Sequence, residues 1–227
     1  MVAAVTHESI ETCHTLPDAG YALGSFFRFH TLYSTKKEWV ILIDKEKVEQ
    51  AVTLFLEAIG EDPNRPGLLE TPDRIARMCQ QLFGGLEQTA QVPLAKRFPV
   101  EGSNLVLEKD ITFYSVCEHH FLPFYGKVHI ICLPDGEVVG LSKLARTVEV
   151  FARRPQIQER LTAQIASAIM DELHPQGVMV MIEAEHMCMT MRGIQKPGTQ
   201  TVTTTALGCF EKDTTLQERF FQLLGAK

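Results

Sequence analysis

No apolar stretch in the 227 residues comes near the twenty or so needed to cross a bilayer, so a membrane-spanning protein is not expected. The first twenty residues hold Glu8, Glu11 and Asp18 but no lysine or arginine. That lack argues against a secretory signal or a basic transit peptide and makes a cytoplasmic location the expectation. Positive charge is also short. A net charge of −6 counts against nucleic acid as the main partner, because binding the phosphate backbone needs a basic surface. It does not exclude one nucleotide, since a local group of arginines and lysines can hold a triphosphate inside an acidic protein. No paired C-x-x-C motif occurs, and the six cysteines, Cys13, Cys79, Cys117, Cys132, Cys188 and Cys209, are scattered. A disulfide framework and a closed structural zinc site are therefore not expected, and Cys132 and Cys209 read as core. No repeat of fixed short period is present. What remains is average globular composition, 45% apolar and 22% charged, enough for one large domain with an appendage.

Residues 1–43 lack clear periodicity, although Tyr21, Phe26, Phe27, Phe29 and Tyr33 cluster there. They read as a partly mobile N-terminal arm, with the folded domain over 44–227. A helix is expected from Asp44, with Val48, Ala51, Val52, Phe55, Ala58 and Ile59 on its apolar face. Thr71-Pro72 gives an N-cap and a first-turn proline for a second helix reaching Gly84-Gly85. From about residue 101 the pattern turns to strands, SNLVLEKDITFYSV and YGKVHIICLP. Ser142 is expected to cap one helix and Pro155 to open a longer one. GVMVMIEAEH and QTVTTTALGCF supply two more strands before a C-terminal helix. Paired helices alternating with paired strands predict an α+β domain with an antiparallel sheet.

Chemistry concentrates in four places. Cys117-Glu118-His119-His120 places a thiol and an imidazole three residues apart, a spacing that lets both reach one metal from a tight turn. Taken alone it is a weak signal. Glu185-His186-Met187-Cys188 ends another strand with a further Cys and His. A Cys/His/Cys set leaves the fourth tetrahedral position to water, the mark of a catalytic zinc. If Cys117, His120 and Cys188 take the metal, His119 and His186 remain for proton transfer. An isolated histidine is more often a packing residue, which is the reading for His7, His14, His30, His129 and His174. Ser142, Lys143 and Arg146 begin a helix, where cations oppose the macrodipole and an anion is favoured. Arg192 follows Cys188 by four residues, and Arg74 and Arg77 share a helix face. Gln158-Glu159 is a commonplace surface pair and equally a pair able to hold guanine N–H donors; spacing does not choose between them.

Five stretches together, TPDRIARM, SVCEHHFLPFYGKVHI, VVGLSKLARTVEVFARRPQIQERLTAQI, GVMVMIEAEHMCMTMRGI and TVTTTALG, resemble the type I GTP cyclohydrolase family, in family order from about Asp44 onward. The resemblance implies a tunnelling fold, in which antiparallel sheets with helices packed on one face join into a barrel across subunits, with a helical part over 44–100 and the fold's core over 101–227. It implies a homodecamer of two stacked pentamers with sites at subunit boundaries. It also implies GTP as substrate, Zn2+ as cofactor, and formate and a dihydroneopterin triphosphate as products. Cys117, His120 and Cys188 match the zinc ligands, and His119 the histidine that protonates N7 of guanine. His186 matches a second active-site histidine for the formyl intermediate, and Ser142 a residue of the sugar rearrangement. Gln158 and Glu159 match guanine recognition. Lys143, Arg146 and Arg192 match triphosphate contacts, with Arg74 and Arg77 contributing from a neighbour. Position 77 is often lysine in the family; Arg77 keeps the charge and changes the donor geometry.

Three other readings compete. A nitrile-reducing relative on the same fold would want a nucleophilic cysteine without the zinc triad. A zinc nucleoside deaminase would need H-x-E and P-C-x-x-C, and neither is present. A catalytically silent binding or regulatory subunit would be expected to lose His119, a zinc ligand or Glu159, and all are retained.

Overall fold

The computed structural model describes residues 43–102 and 104–226. The expected arm over 1–43, with its aromatic cluster, lies outside the described residues except for its last position. Asp44 caps α1 (Lys45–Ala58), its carboxylate accepting from the Lys47 N–H at 3.0 Å. The expected apolar face of α1 is only partly covered. Leu56 is its buried residue, whereas Phe55 and Ile59 are exposed, because among the described residues α1 rests chiefly on α2. In α2 (Thr71–Leu82) the cap falls on Glu70, one residue before the expected Thr71. Pro72 sits in the first turn, where its missing N–H leaves no intrahelical bond unmade. A 3₁₀ turn (Gly84–Glu87), short α3 (Gln91–Leu94) and β1 (Arg97–Pro99) lead into the sheet.

Two long strands follow, β2 (Val106–Cys117) and β3 (Pro123–Leu133), then short β4 (Glu137–Val139), which pairs with β1. Next come α4 (Leu141–Ala152), β5 (Pro155–Gln156), α5 (Gln158–Leu173) and β6 (Gly177–His186). The chain ends with α6 (Met187–Thr190), β7 (Gln200–Gly208), α7 (Cys209–Lys212) and α8 (Thr214–Gly225). The main sheet runs in the order β5-β2-β3-β6-β7. Its long strands are all antiparallel to their neighbours, as the pattern predicts.

Two expected helix starts move. Gly140 rather than Ser142 occupies the cap of α4, leaving Ser142 exposed in the first turn without a capping bond. Pro155 does not open a helix. Pro155-Gln156 joins the sheet edge parallel to Val116-Cys117, and α5 begins at Gln158. Local hydrogen bonding decides this: the Glu118 N–H donates to Gln156 O, while the Gln156 amide donates to Phe151 O and to Gln164 Oε1.

Strand alternation divides the core. Phe113, Phe124, Val128, Ile130, Val178, Val180 and Ile182 face α4 and α5, meeting Leu144, Val148, Leu161, Ile165 and Ile169. On the opposite side, at one end, Ile131, Met179 and Met181 pack against Phe210 and Phe220 of α7 and α8. Cys132 is buried as expected, and burial pushes its thiol up to about 11. His129 is buried too, its Nδ1 accepting from the Asp110 N–H at 3.2 Å beside an irregularity in β2. Gly126 marks the closest backbone approach, since a Cβ there would stand 1.8 Å from Glu183 O. Among the described residues no helix is long and apolar enough to cross a membrane.

Candidate active site

Strand order explains why two distant motifs meet. With β2, β3 and β6 adjacent and alternating in direction, β2 and β6 run the same way and end at the same edge of the sheet. Cys117 is the last residue of β2, and His186 is the last of β6, two residues before Cys188. The turn carrying Glu118, His119 and His120 is held by Cys117 N–H donating to Leu122 O and Phe121 N–H donating to Cys117 O, with Phe121 at φ 54°. Phe83, which caps the end of α2, packs edge-on to Phe121 at 6.1 Å and so ties the helical part to this turn.

One ligand atom from each of Cys117, His120 and Cys188 lies within 4.8 Å of the others. Tetrahedral zinc, with zinc–sulfur near 2.3 Å and zinc–nitrogen near 2.0–2.1 Å, sets such donors about 3.5–3.8 Å apart. Closing by about 1 Å is therefore enough, and the donor chemistry suits zinc. Burial and the adjacent Cys117 sulfur push the Cys188 thiol up, while Arg192 pulls it back down, so this residue is close enough to feel the charge.

The two remaining histidines differ in their surroundings. His119 is exposed, with Nδ1 3.8 Å from Cys117 Sγ and Nε2 3.9 Å from a Glu118 oxygen. Glu118 is in turn paired with Arg160 on α5. His186 is half-buried, stacked flat on Phe124 at 4.6 Å between ring centroids and 2° between planes. Burial lowers its affinity for a proton, and Glu159 opposes that shift.

Gln158 and Glu159 part company. They are adjacent at the start of α5, so their side chains leave the helix about 100° apart. Glu159 is exposed, whereas Gln158 is 1% exposed. The Gln158 Oε1 lies 2.8 Å from His186 Nε2, and its Nε2 reaches Ile182 O, Thr201 O and Thr203 Oγ1 at 3.0, 2.9 and 3.1 Å. The polar atoms of the Gln158 amide are thus engaged inside the protein, whereas the Glu159 carboxylate faces outward.

The expected anion-binding residues are not all brought together. Ser142, Lys143 and Arg146 lie in the first half of α4, whereas Ala152 at its end accepts from Ser115 Oγ at 2.7 Å, close to Cys117. Nine helical steps separate Lys143 from Ala152, about 14 Å. Lys143 and Arg146 line a separate cavity of about 470 Å³ with Thr89, Val92 and Arg153. Arg74 and Arg77 are exposed on α2 and ion-paired to its cap residue Glu70 and to Asp73 in its first turn, at 2.5 and 2.8 Å. Within one chain, then, the Cys/His/Cys group has His119, His186 and Arg192 beside it, while Lys143, Arg146, Arg74 and Arg77 lie elsewhere.

Sequence reasoning missed Phe124, which backs His186, and the Thr162–Thr203 pair beneath Gln158. Their signal is pairing register: Phe124 stands directly across from His186, and Thr203 across from Ile182. No linear motif carries that information.

The GTP cyclohydrolase I family model matches residues 48–225. A GTP cyclohydrolase 1 of Clostridium perfringens (strain 13 / Type A) is 60% identical over 183 residues, 81% of this chain and 99% of the relative. One from Finegoldia magna is 57% identical over 183 residues, again 81% of this chain and all of the relative. Among solved structures, the archaeosine synthase QueF-Like in its apo form aligns with 48% of this chain and 97% of its own, at TM-score 0.40 and 18% identity. With the paired Cys/His strand ends in place and the match spanning nearly all the described residues, the chain belongs to the GTP cyclohydrolase I family.

Proposed function

We propose that this chain converts GTP and water to formate and 7,8-dihydroneopterin 3'-triphosphate in a zinc-dependent reaction, the first step of pterin synthesis toward folate or tetrahydrobiopterin. The observation that carries the reading is the convergence of Cys117, His120 and Cys188 within 4.8 Å, with two non-ligand histidines beside them, in a member of this family. Zinc held by these three residues would supply an acidified water, a nucleophile at neutral pH.

The chain's own groups do the rest. His119, exposed beside the ligand turn, donates a proton to N7 of guanine and makes C8 more electrophilic. Glu118, held by Arg160, flanks His119, with a carboxylate oxygen 3.9 Å from its Nε2. Glu159 accepts two N–H bonds from the guanine edge, fixing C8 against the metal ligands. His186 assists hydrolysis of the formyl group that leaves as formate, and Ser142 serves the later sugar rearrangement. Lys143, Arg146 and Arg192 hold the triphosphate, with Arg74 and Arg77 contributing from a neighbouring subunit. Binding at the phosphates, remote from C8, helps orient the reacting ring.

The separation of Lys143 and Arg146 from Cys117 by most of α4 supports a site completed across a subunit boundary; the homodecamer of two stacked pentamers is the assembly, and the cytoplasm the location, that we propose for it. Large exposed apolar side chains such as Leu54, Phe55 and Leu69 on the helical part suit burial in such an assembly.

The test is release of one formate per GTP consumed by zinc-replete protein. Glu159→Gln should then raise the KM for GTP about 10- to 100-fold, the worth of a charged hydrogen bond of about 1.5–3 kcal/mol. GTP consumed without formate would overturn the reaction, and an unchanged KM would remove Glu159 from base recognition.

A further inference from the structure

We infer that Gln158 is a positioning residue that fixes which nitrogen of His186 carries the proton, leaving Nδ1 as the nitrogen with the free lone pair. The consequence for turnover rests on the reading of His186 as an active-site histidine; the proton placement does not.

The orientation of the Gln158 amide is dictated by its neighbours. Two main-chain carbonyls, Ile182 O and Thr201 O, lie 3.0 and 2.9 Å from its nitrogen. Carbonyls only accept, so the group facing them must be the NH₂. Turning the amide over would set an oxygen against two oxygens in a buried site, and each lost bond would cost the desolvation of its partner. The amide oxygen is thereby aimed at His186 Nε2, 2.8 Å away. An amide oxygen cannot donate, so Nε2 must hold the hydrogen, and a neutral ring carries none on Nδ1.

The hydroxyls behind the amide order themselves in the same sense. Thr162 Oγ1 spends its single proton on Gln158 O at 2.8 Å. In its 2.6 Å contact with Thr203 Oγ1 it must therefore accept, making Thr203 the donor there. Thr203 Oγ1, 3.1 Å from the Gln158 amide nitrogen, then accepts a share of one of its two N–H groups, which closes a ring from side chain through two hydroxyls to the same residue's carbonyl. The Thr-rich strand β7 thus has a use beyond pairing. Phe124 supplies the other restraint: its parallel stack fixes the plane of the His186 ring, while the bond from Nε2 fixes the ring's direction within that plane. Two such restraints hold a proton-transfer group within the narrow tolerance that catalysis needs.

The experiment is solid-state ¹⁵N NMR of sedimented, zinc-loaded, full-length protein carrying ¹⁵N-imidazole histidine, at mildly alkaline pH and without substrate. The His186 signals are those that vanish in His186→Gln. The expected result is a single neutral form with Nε2 protonated and Nδ1 bare; a protonated Nδ1 or an even mixture overturns the inference. This needs no variant of Gln158 to fold. In Gln158→Met the ring should lose its preference and show an averaged pair of shifts, with zinc content unchanged. Its kcat should fall about 10- to 100-fold, as when an outer partner of a site group is removed, with KM for GTP nearly constant. A KM that rises while kcat holds would return Gln158 to base recognition, and unchanged kinetics would show that the fixed proton is not used. Absence of GTP turnover in the wild type would instead strike the proposed function, leaving the proton placement to stand on the spectrum.

Discussion

Alanine at Cys188 is expected to cost the protein its metal and its turnover together. Among the described residues Cys188 is one of three grouped side chains that could hold a metal ion, and the two left behind, Cys117 and His120, come from one turn. Removing a mere outer partner of a zinc ligand costs about 10- to 100-fold in affinity or activity. Loss of a thiolate donor should exceed that range, taking zinc below a tenth of an equivalent per subunit after dialysis and pterin formation below detection. The fold should survive, because Cys188 is only half-buried, at the rim of the main core. Metal analysis, circular dichroism and turnover on one preparation check all three. Full zinc occupancy would mean that another residue is the third ligand.

His119→Ala is expected to divide the same properties differently. The neighbouring ring of His120 and both sulfurs remain, so zinc content should stay near that of the wild type. Loss of a general acid usually costs about 10²–10⁴-fold, and in the proposed reaction protonation of N7 is the step that makes C8 open to attack. Pterin formation should fall by at least the upper part of that range, while GTP still binds through Glu159 and the phosphate contacts. Single-turnover assays beside equilibrium GTP binding separate the two. Zinc loss in this variant would contradict the role given to His119, since its Nδ1 stands 3.8 Å from Cys117 Sγ in contact with a ligand rather than in its place.

The metal group was legible in the sequence because its three donors sit at or just past strand ends, and strand periodicity locates those ends well. The alternation of β2, β3 and β6 then brings them to one edge. Helix starts were less legible. Thr71 and Ser142 are good capping residues by type, yet the caps fall on Glu70 and Gly140, because a side chain able to cap does not fix where the first turn closes. Pro155 favours a helix start by local propensity, but the open edge of β2 offers its segment sheet hydrogen bonds, and these prevail. The apolar face of α1 was read from periodicity, which reports what seeks burial and not what covers it.

Gln158 shows the same limit at the site. As one half of a polar pair opening a helix it looked like its neighbour Glu159. Only the path of β6 and β7 beneath α5 buries it and engages its amide with Ile182, Thr201, Thr203 and His186. Lys143 and Arg146 pose the converse case, since sequence spacing could not reveal that most of a helix separates them from the cysteines.

The most direct measurement incubates zinc-replete protein with GTP, oxidises and dephosphorylates the products, and separates them by chromatography with fluorescence detection. A neopterin peak that vanishes on chelation and returns with added zinc is the predicted result. GTP left intact by protein that holds its zinc would contradict the account.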